Sequence, residues 1–216
     1  MSFLNYDSPF MVELRRVVDS MALGLLWIVA SIPLVTFGAA TTAMFYTREK
    51  AIRKDEGKIW STFWKCFKKE FKQATLLWVI GLVLSVLLTV NGIVLWRMEL
   101  HGIVFALLLT TVLFGAGWMQ LWYGYLSKFE DTTWVLLGNT FRITLVNFPW
   151  VLLLVFLSAA ASVGAVIAFF YMPPILLLVP GIYGILAGMV LRRIFSRYLP
   201  EEAREALPGN QESNTL

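Results

Sequence analysis

Charge is scarce in this chain, and its placement decides what the chain can be. Asp, Glu, Lys and Arg make up 15% of 216 residues, against 58% hydrophobic. An ordinary soluble domain carries about 25% charged residues. So little charge cannot clothe a surface that faces water on all sides. Four stretches, Ser20–Thr47, Gln73–Trp96, Gly102–Ser127 and Ile143–Leu191, hold no Asp, Glu, Lys, Arg or His at all. Cysteine is also scarce. Cys66 stands alone, which excludes an intrachain disulfide. His101 is the single histidine, so the usual structural zinc ligand sets are out of reach. Membrane enzymes and ion-coupled pumps usually keep ionisable groups within their spans. None occurs in these four stretches. Gly115-Ala116-Gly117 lies inside an apolar run and is no phosphate loop. No enzyme activity, catalytic residue, cofactor or metal is expected.

What is present is apolar length. A spanning helix needs about 20 mostly apolar residues. The first three stretches fit one helix each. The fourth fits two, divided at Tyr171-Met172-Pro173-Pro174, because proline lacks an N–H and disfavours helix in the residue before it. The expected fold is all-α, a polytopic membrane helix bundle. It has about five transmembrane helices, near 20–46, 74–96, 102–126, 148–170 and 174–191, with cytoplasmic amphipathic interfacial helices. Residues 1–199 form one domain and 200–216 a short polar tail. Arg15-Arg16 before the first run resembles the start of a signal peptide, but Asp19 interrupts the approach and the run is too long. It reads as a first span.

Basic residues orient the bundle. With five spans, fifteen Lys and Arg fall on the side of the first long loop and three on the other. The positive-inside rule places that loop in the cytoplasm, with the C-terminus cytoplasmic and the N-terminus external. An alternative stays open at Ile32-Pro33-Leu34-Val35-Thr36-Phe37-Gly38. The first stretch can instead be two half-helices that enter and leave on the cytoplasmic side, which moves the basic count to seventeen against one.

The first inner loop carries the strongest pattern. After the Asp55-Glu56-Gly57 turn signal, Trp60, Phe63, Trp64, Phe67 and Phe71 recur at helical spacing. Lys58, Lys65, Lys68, Lys69 and Lys72 fill other faces. Aromatics on one side and lysines on the other suit a helix lying at the membrane surface, its ammonium groups meeting anionic lipid. Trp60, Phe63, Trp64, Phe67, Lys68, Lys69, Phe71 and Lys72 are the candidate lipid or partner-docking face. Nucleic acid is not an expected partner. A weaker echo follows 74 residues later in Trp134, Leu137, Phe141, Arg142 and Leu145, which makes Asp131–Arg142 a second such segment. It is consistent with a parallel internal repeat and with chance. Asn91 and Gln120 are the costliest polar groups to place in lipid. His101 beside Glu99 reads as an outer loop. Gly184 and Gly188 form a small-xxx-small face for helix packing, compatible with a homo-oligomer.

Several segments together resemble a known family. The opening Asn5-Tyr6-Asp7-Ser8-Pro9-Phe10 precedes Leu26-Trp27. Then come Pro33-Leu34-Val35-Thr36-Phe37-Gly38-Ala39-Ala40-Thr41-Thr42-Ala43 and Phe63-Trp64-Lys65-Cys66-Phe67-Lys68-Lys69-Glu70-Phe71-Lys72-Gln73-Ala74-Thr75. This pattern resembles the YesL-like family of small bacterial membrane proteins. The resemblance implies a bacterial plasma-membrane protein of multi-pass type and an accessory role in carbohydrate uptake or use, with sugar ABC-type importer components as partners. It carries no catalytic residues. Pro33, Thr36 and Gly38 are the candidate functional helix break. A small transporter or channel with a path near that break is the alternative reading.

Overall fold

The computed structural model describes residues 9–54, 56–97, 101–171, 176 and 178–198. The Tyr171–Pro174 turn, the tip of the 97–102 loop, the opening Asn5–Ser8 and the tail beyond 198 therefore fall wholly or partly outside the described residues. Those residues are all-α, with no strand among them. They form seven α-helices: α1 (Pro9–Ser31), α2 (Phe37–Thr47), α3 (Ile59–Arg97), α4 (His101–Leu126), α5 (Thr133–Val146), α6 (Phe148–Tyr171) and α7 (Val179–Phe195). A 3-10 turn at Leu34–Thr36 joins α1 to α2, and a π-helical segment at Arg48–Arg53 follows α2.

The stretch 20–46 is not one straight helix. Pro33 removes a backbone donor and turns extended (φ −74°, ψ 113°). The Thr36 hydroxyl then lies 2.5 Å from the Ala30 carbonyl and 2.6 Å from that of Pro33, sharing its one proton. It thereby meets one of the carbonyls left unpaired at the end of α1. The chain reverses. Trp27 Nε1 donates to Thr41 Oγ1 at 3.1 Å. In a continuous helix those residues would stand roughly 21 Å apart. The π segment also packs against α1.

α2 is the centre of the molecule. Nine of its eleven residues are buried, from Gly38 to Phe45 and again at Thr47. Its small residues let α3 approach closely. A Cβ on Gly38 would sit 2.6 Å from the Ala74 carbonyl oxygen and 3.0 Å from Tyr123. Thr41 and Thr42 hydroxyls donate to the Phe37 and Gly38 carbonyls of their own helix, so both can be buried. An aromatic run, Trp27–Phe37 (5.4 Å) and Phe37–Trp78 (4.9 Å), ties α1, α2 and α3 together.

Two helices are long and apolar enough to cross a membrane, within Ile59–Val94 and Phe148–Tyr171. Only 11% and 17% of their most apolar windows are buried. Core helices of a soluble protein would be mostly buried, so these exposed apolar faces point to lipid. Val79, Val83, Val86 and Val90 of α3 and Phe156, Val163 and Ile167 of α6 are all exposed. α3 also differs from its expected form. It is one uninterrupted helix of 39 residues, so the aromatic–lysine segment is its N-terminal extension and not a separate helix lying flat. The second such segment does form its own helix, α5, which ends at Asn147 before Pro149 opens α6.

The Gly38 contact sets a stability test. Gly38→Ala pushes a methyl into the Ala74 carbonyl and is expected to cost about 1–3 kcal/mol. Thr36→Val leaves the Ala30 carbonyl unpaired and should cost roughly 1–2 kcal/mol. Thermal or denaturant unfolding in detergent reads both. Wild-type stability in either variant contradicts the packing described.

Candidate functional site: a chamber beside the chain reversal

The reversal leaves space next to it. A chamber of about 610 Å³ opens between α1, α2, α4, α6 and α7. Trp27, Ile28 and Ser31 line it from α1, Ile32 from just after it, and Phe37, Thr41, Met44 and Phe45 from α2. Gln120 and Tyr123 come from α4, and Val179, Pro180 and Tyr183 from α7. On α6, Ser158, Ala161, Ser162 and Ala165 form a small-residue stripe at helical spacing, and their shortness leaves the volume empty. Ligand sites typically run from about 300 to 1,000 Å³, mostly apolar with a few placed polar groups.

The polar groups here are few and specific. Gln120 Nε2 donates to Ser158 Oγ at 2.8 Å, and Ser158 donates on to the Val155 carbonyl at 2.8 Å. That leaves Gln120 Oε1 buried with no partner among the described residues, and Ser31 Oγ is in the same condition. Burying an unsatisfied acceptor costs about 1–3 kcal/mol. The chamber therefore presents an almost wholly apolar wall, and the Gln120 Oε1 is itself buried. None of the described residues lining it is charged.

The residues singled out in the sequence are distributed unevenly around this site. Pro33 and Thr36 build the reversal beside the chamber, and Gly38 seats α2 on α3. Gln120 enters the wall, whereas Asn91 bonds back to the Leu87 carbonyl at 2.8 Å on an exposed face. The aromatic–lysine face is largely turned inward. Phe63 is fully buried, and Trp64, Phe67 and Phe71 pack on the core. Trp60 remains 63% exposed, with Lys65, Lys68, Lys69 and Lys72 also outside. Lys69 pairs with Glu130, and the bond raises its pKa; Gln73 Nε2 donates to the Asp131 carbonyl at 2.9 Å. These contacts fasten α3 to the turn before α5. On α5 the echo positions Trp134, Phe141 and Leu145 are exposed, while Leu136, Thr140, Ile143 and Thr144 face in. Gly184 and Gly188 receive Met44 and Arg48 of the same chain. No pattern in the sequence marks Ser31, Ser158, Tyr123 or Tyr183 individually; the periodic small residues of α6 are the one sequence signal for a void.

Cys66 offers a check on this packing. Burial pushes its thiol up to about 12, Glu70 adds to that, and Lys69 opposes it. The thiolate is the reactive form. Maleimide labelling of the folded protein should therefore stay slow from about pH 7 through 9, and become fast once the protein is unfolded. Rapid labelling of the native state at neutral pH contradicts the buried placement.

Comparison with known proteins adds one match. No curated protein and no solved structure matches this chain. Residues 21–92, covering the second half of α1, all of α2 and most of α3, match a family described as "Protein of unknown function, DUF624", which is consistent with the YesL-like resemblance.

Proposed function

We propose that this chain is a multi-pass plasma-membrane protein that binds and does not catalyse, serving as an accessory of carbohydrate uptake. The observation that carries the binding role is the chamber beside the reversal, with its apolar wall. It suits an apolar or weakly amphipathic molecule. A sugar would leave most of its hydroxyls unpaired against Ile28, Phe37 and Phe45, at about 1–3 kcal/mol each. That chemistry favours the accessory reading over a sugar path through the break. The connection to carbohydrate rests on the YesL-like resemblance alone.

The topology we propose follows the reversal. α2 has eleven residues, and the apolar arm of α1 from Ser20 is of similar length. Each arm is roughly 17 Å long, against a bilayer core of about 30 Å. Neither crosses alone. The hairpin then enters and leaves on the cytoplasmic side, and 74–96, 102–126, 148–170 and 174–191 cross. This puts seventeen basic residues inside and one outside, a stronger bias than five plain spans produce. The N-terminus is cytoplasmic in this arrangement, in place of the external position that a straight first span requires.

Three measurements test the proposal. In cells expressing a protein that carries both Asn5→Cys and Cys66→Ser, the introduced thiol should resist a membrane-impermeant reagent; labelling in intact cells overturns the hairpin topology. Liposomes holding the pure protein should show no flux across a panel of sugars, and an affinity pull-down from cells grown on glycans should recover importer components. Saturable sugar flux overturns the accessory reading in favour of transport.

A further inference from the structure

Away from the chamber, the inner end of the bundle gathers cations from four places in the chain. Arg48 and Arg53 come from the π segment, and a π-helix bonds residues five apart, so these two stack on one side. Lys128 follows the end of α4, and Arg192 ends α7. Lys54 lies next in line. The electrostatic influence of Arg192, Arg53 and Lys54 reaches Lys128, and that of Arg192 and Arg53 reaches Arg48. Among the described residues the acidic side chain acting on all of them is Glu49, which is already paired with Arg53.

The cluster is built into the fold. Arg48 runs along the face of α7, where its Cδ would lie 3.9 Å from a Cβ on Gly184, and its guanidinium occupies the space a side chain at Gly188 would need. Lys128 sits over the Phe195 ring at 5.6 Å. The Nε atoms of Arg48, Arg53 and Arg192 are buried and find no hydrogen-bond partner among the described residues. Burial brings the Arg48 guanidinium down to about 10; Glu49 opposes this, and Arg192 and Arg53 add to it. At neutral pH the group stays charged, so the repulsion stays too. Removing cations from water without pairing them is expensive, and guanidinium forks match phosphate oxygens in geometry.

We propose that Arg48, Arg53, Lys128 and Arg192 form a binding site for a phosphate group, borne by an anionic lipid headgroup or by free phosphate, at the inner end of the bundle. The site lies where the chain leaves α2 and α4 and beside the basic last turn of α7, the level at which the proposed topology meets the inner headgroups. It is separate from the exposed lysines of α3, which offer charge without buried, unpartnered donors.

The test uses the full-length protein in neutral detergent. Phosphatidylglycerol and inorganic phosphate are titrated separately, with native mass spectrometry and thermal stability as readouts. Saturable binding with a rise in Tm is expected for one or both, and the arm that responds identifies the source. Arg48→Gln, Arg192→Gln and Lys128→Gln should each weaken binding by about tenfold or more. A Lys65→Gln, Lys68→Gln protein should bind as the wild type does. Without ligand, Arg192→Gln should melt no lower than wild type, because the like-charge repulsion is relieved; this separates a lost site from a lost fold. Absence of saturable binding in both arms overturns the proposal, as does equal weakening in the α3 lysine variant.

Discussion

The close approach of α2 to α3 is the contact on which the remaining structure depends. A helix buried on nearly every side has no lipid or water face to stabilise it and relies on neighbours all round. Gly38, Ala39, Ala40 and Ala43 make that possible by keeping α2 thin. The thinness brings a polar backbone near the Ala74 carbonyl and seats Phe37 on Trp78. Once α2 is fixed there, the reversal before it must fold α1 back beside it, and α7 closes over the pair. Gly181 shows how tightly, since a Cβ on it would stand 2.8 Å from the Ser20 carbonyl oxygen. The chamber is what remains between this clamp and the small residues of α6.

Much of this was legible in the amino-acid order, and the misses share a cause. Apolar length located the helices, and Pro33 with Gly38 marked the break. Proline alone does not distinguish a kink from a reversal, because both begin with the same lost donor. The decision rests on Thr36 with Ala30 and Trp27 with Thr41, contacts that exist only after the chain has turned. Similarly, the spacing of Phe63, Phe67 and Phe71 identified an apolar face correctly but not its cover. Lipid and α2 are equally apolar to that pattern. Gly184 and Gly188 likewise announced a close neighbour, and the neighbour is an arginine side chain from the same chain.

The cationic cluster was invisible for a related reason. Its members lie at 48, 53, 128 and 192, and each alone reads as an ordinary inner-surface charge. Only the meeting of the π segment, the end of α4 and the end of α7 turns them into a group. The same meeting explains two of the three glycines of α7, Gly184 and Gly188: the arginine stem needs the groove.

Continuity of α3 has a mechanical meaning. Its 39 residues run as a rigid rod of roughly 58 Å, longer than the bilayer is thick. The rod is gripped where Ala74 meets Gly38, and held by Lys69 and Gln73 at the α5 turn. Beyond Gly81 most of its described residues are exposed. A push at Trp60 would therefore act on the shorter arm of a lever whose pivot is a glycine. The α5–α6 pair, interrupted at Asn147, has no such stiffness.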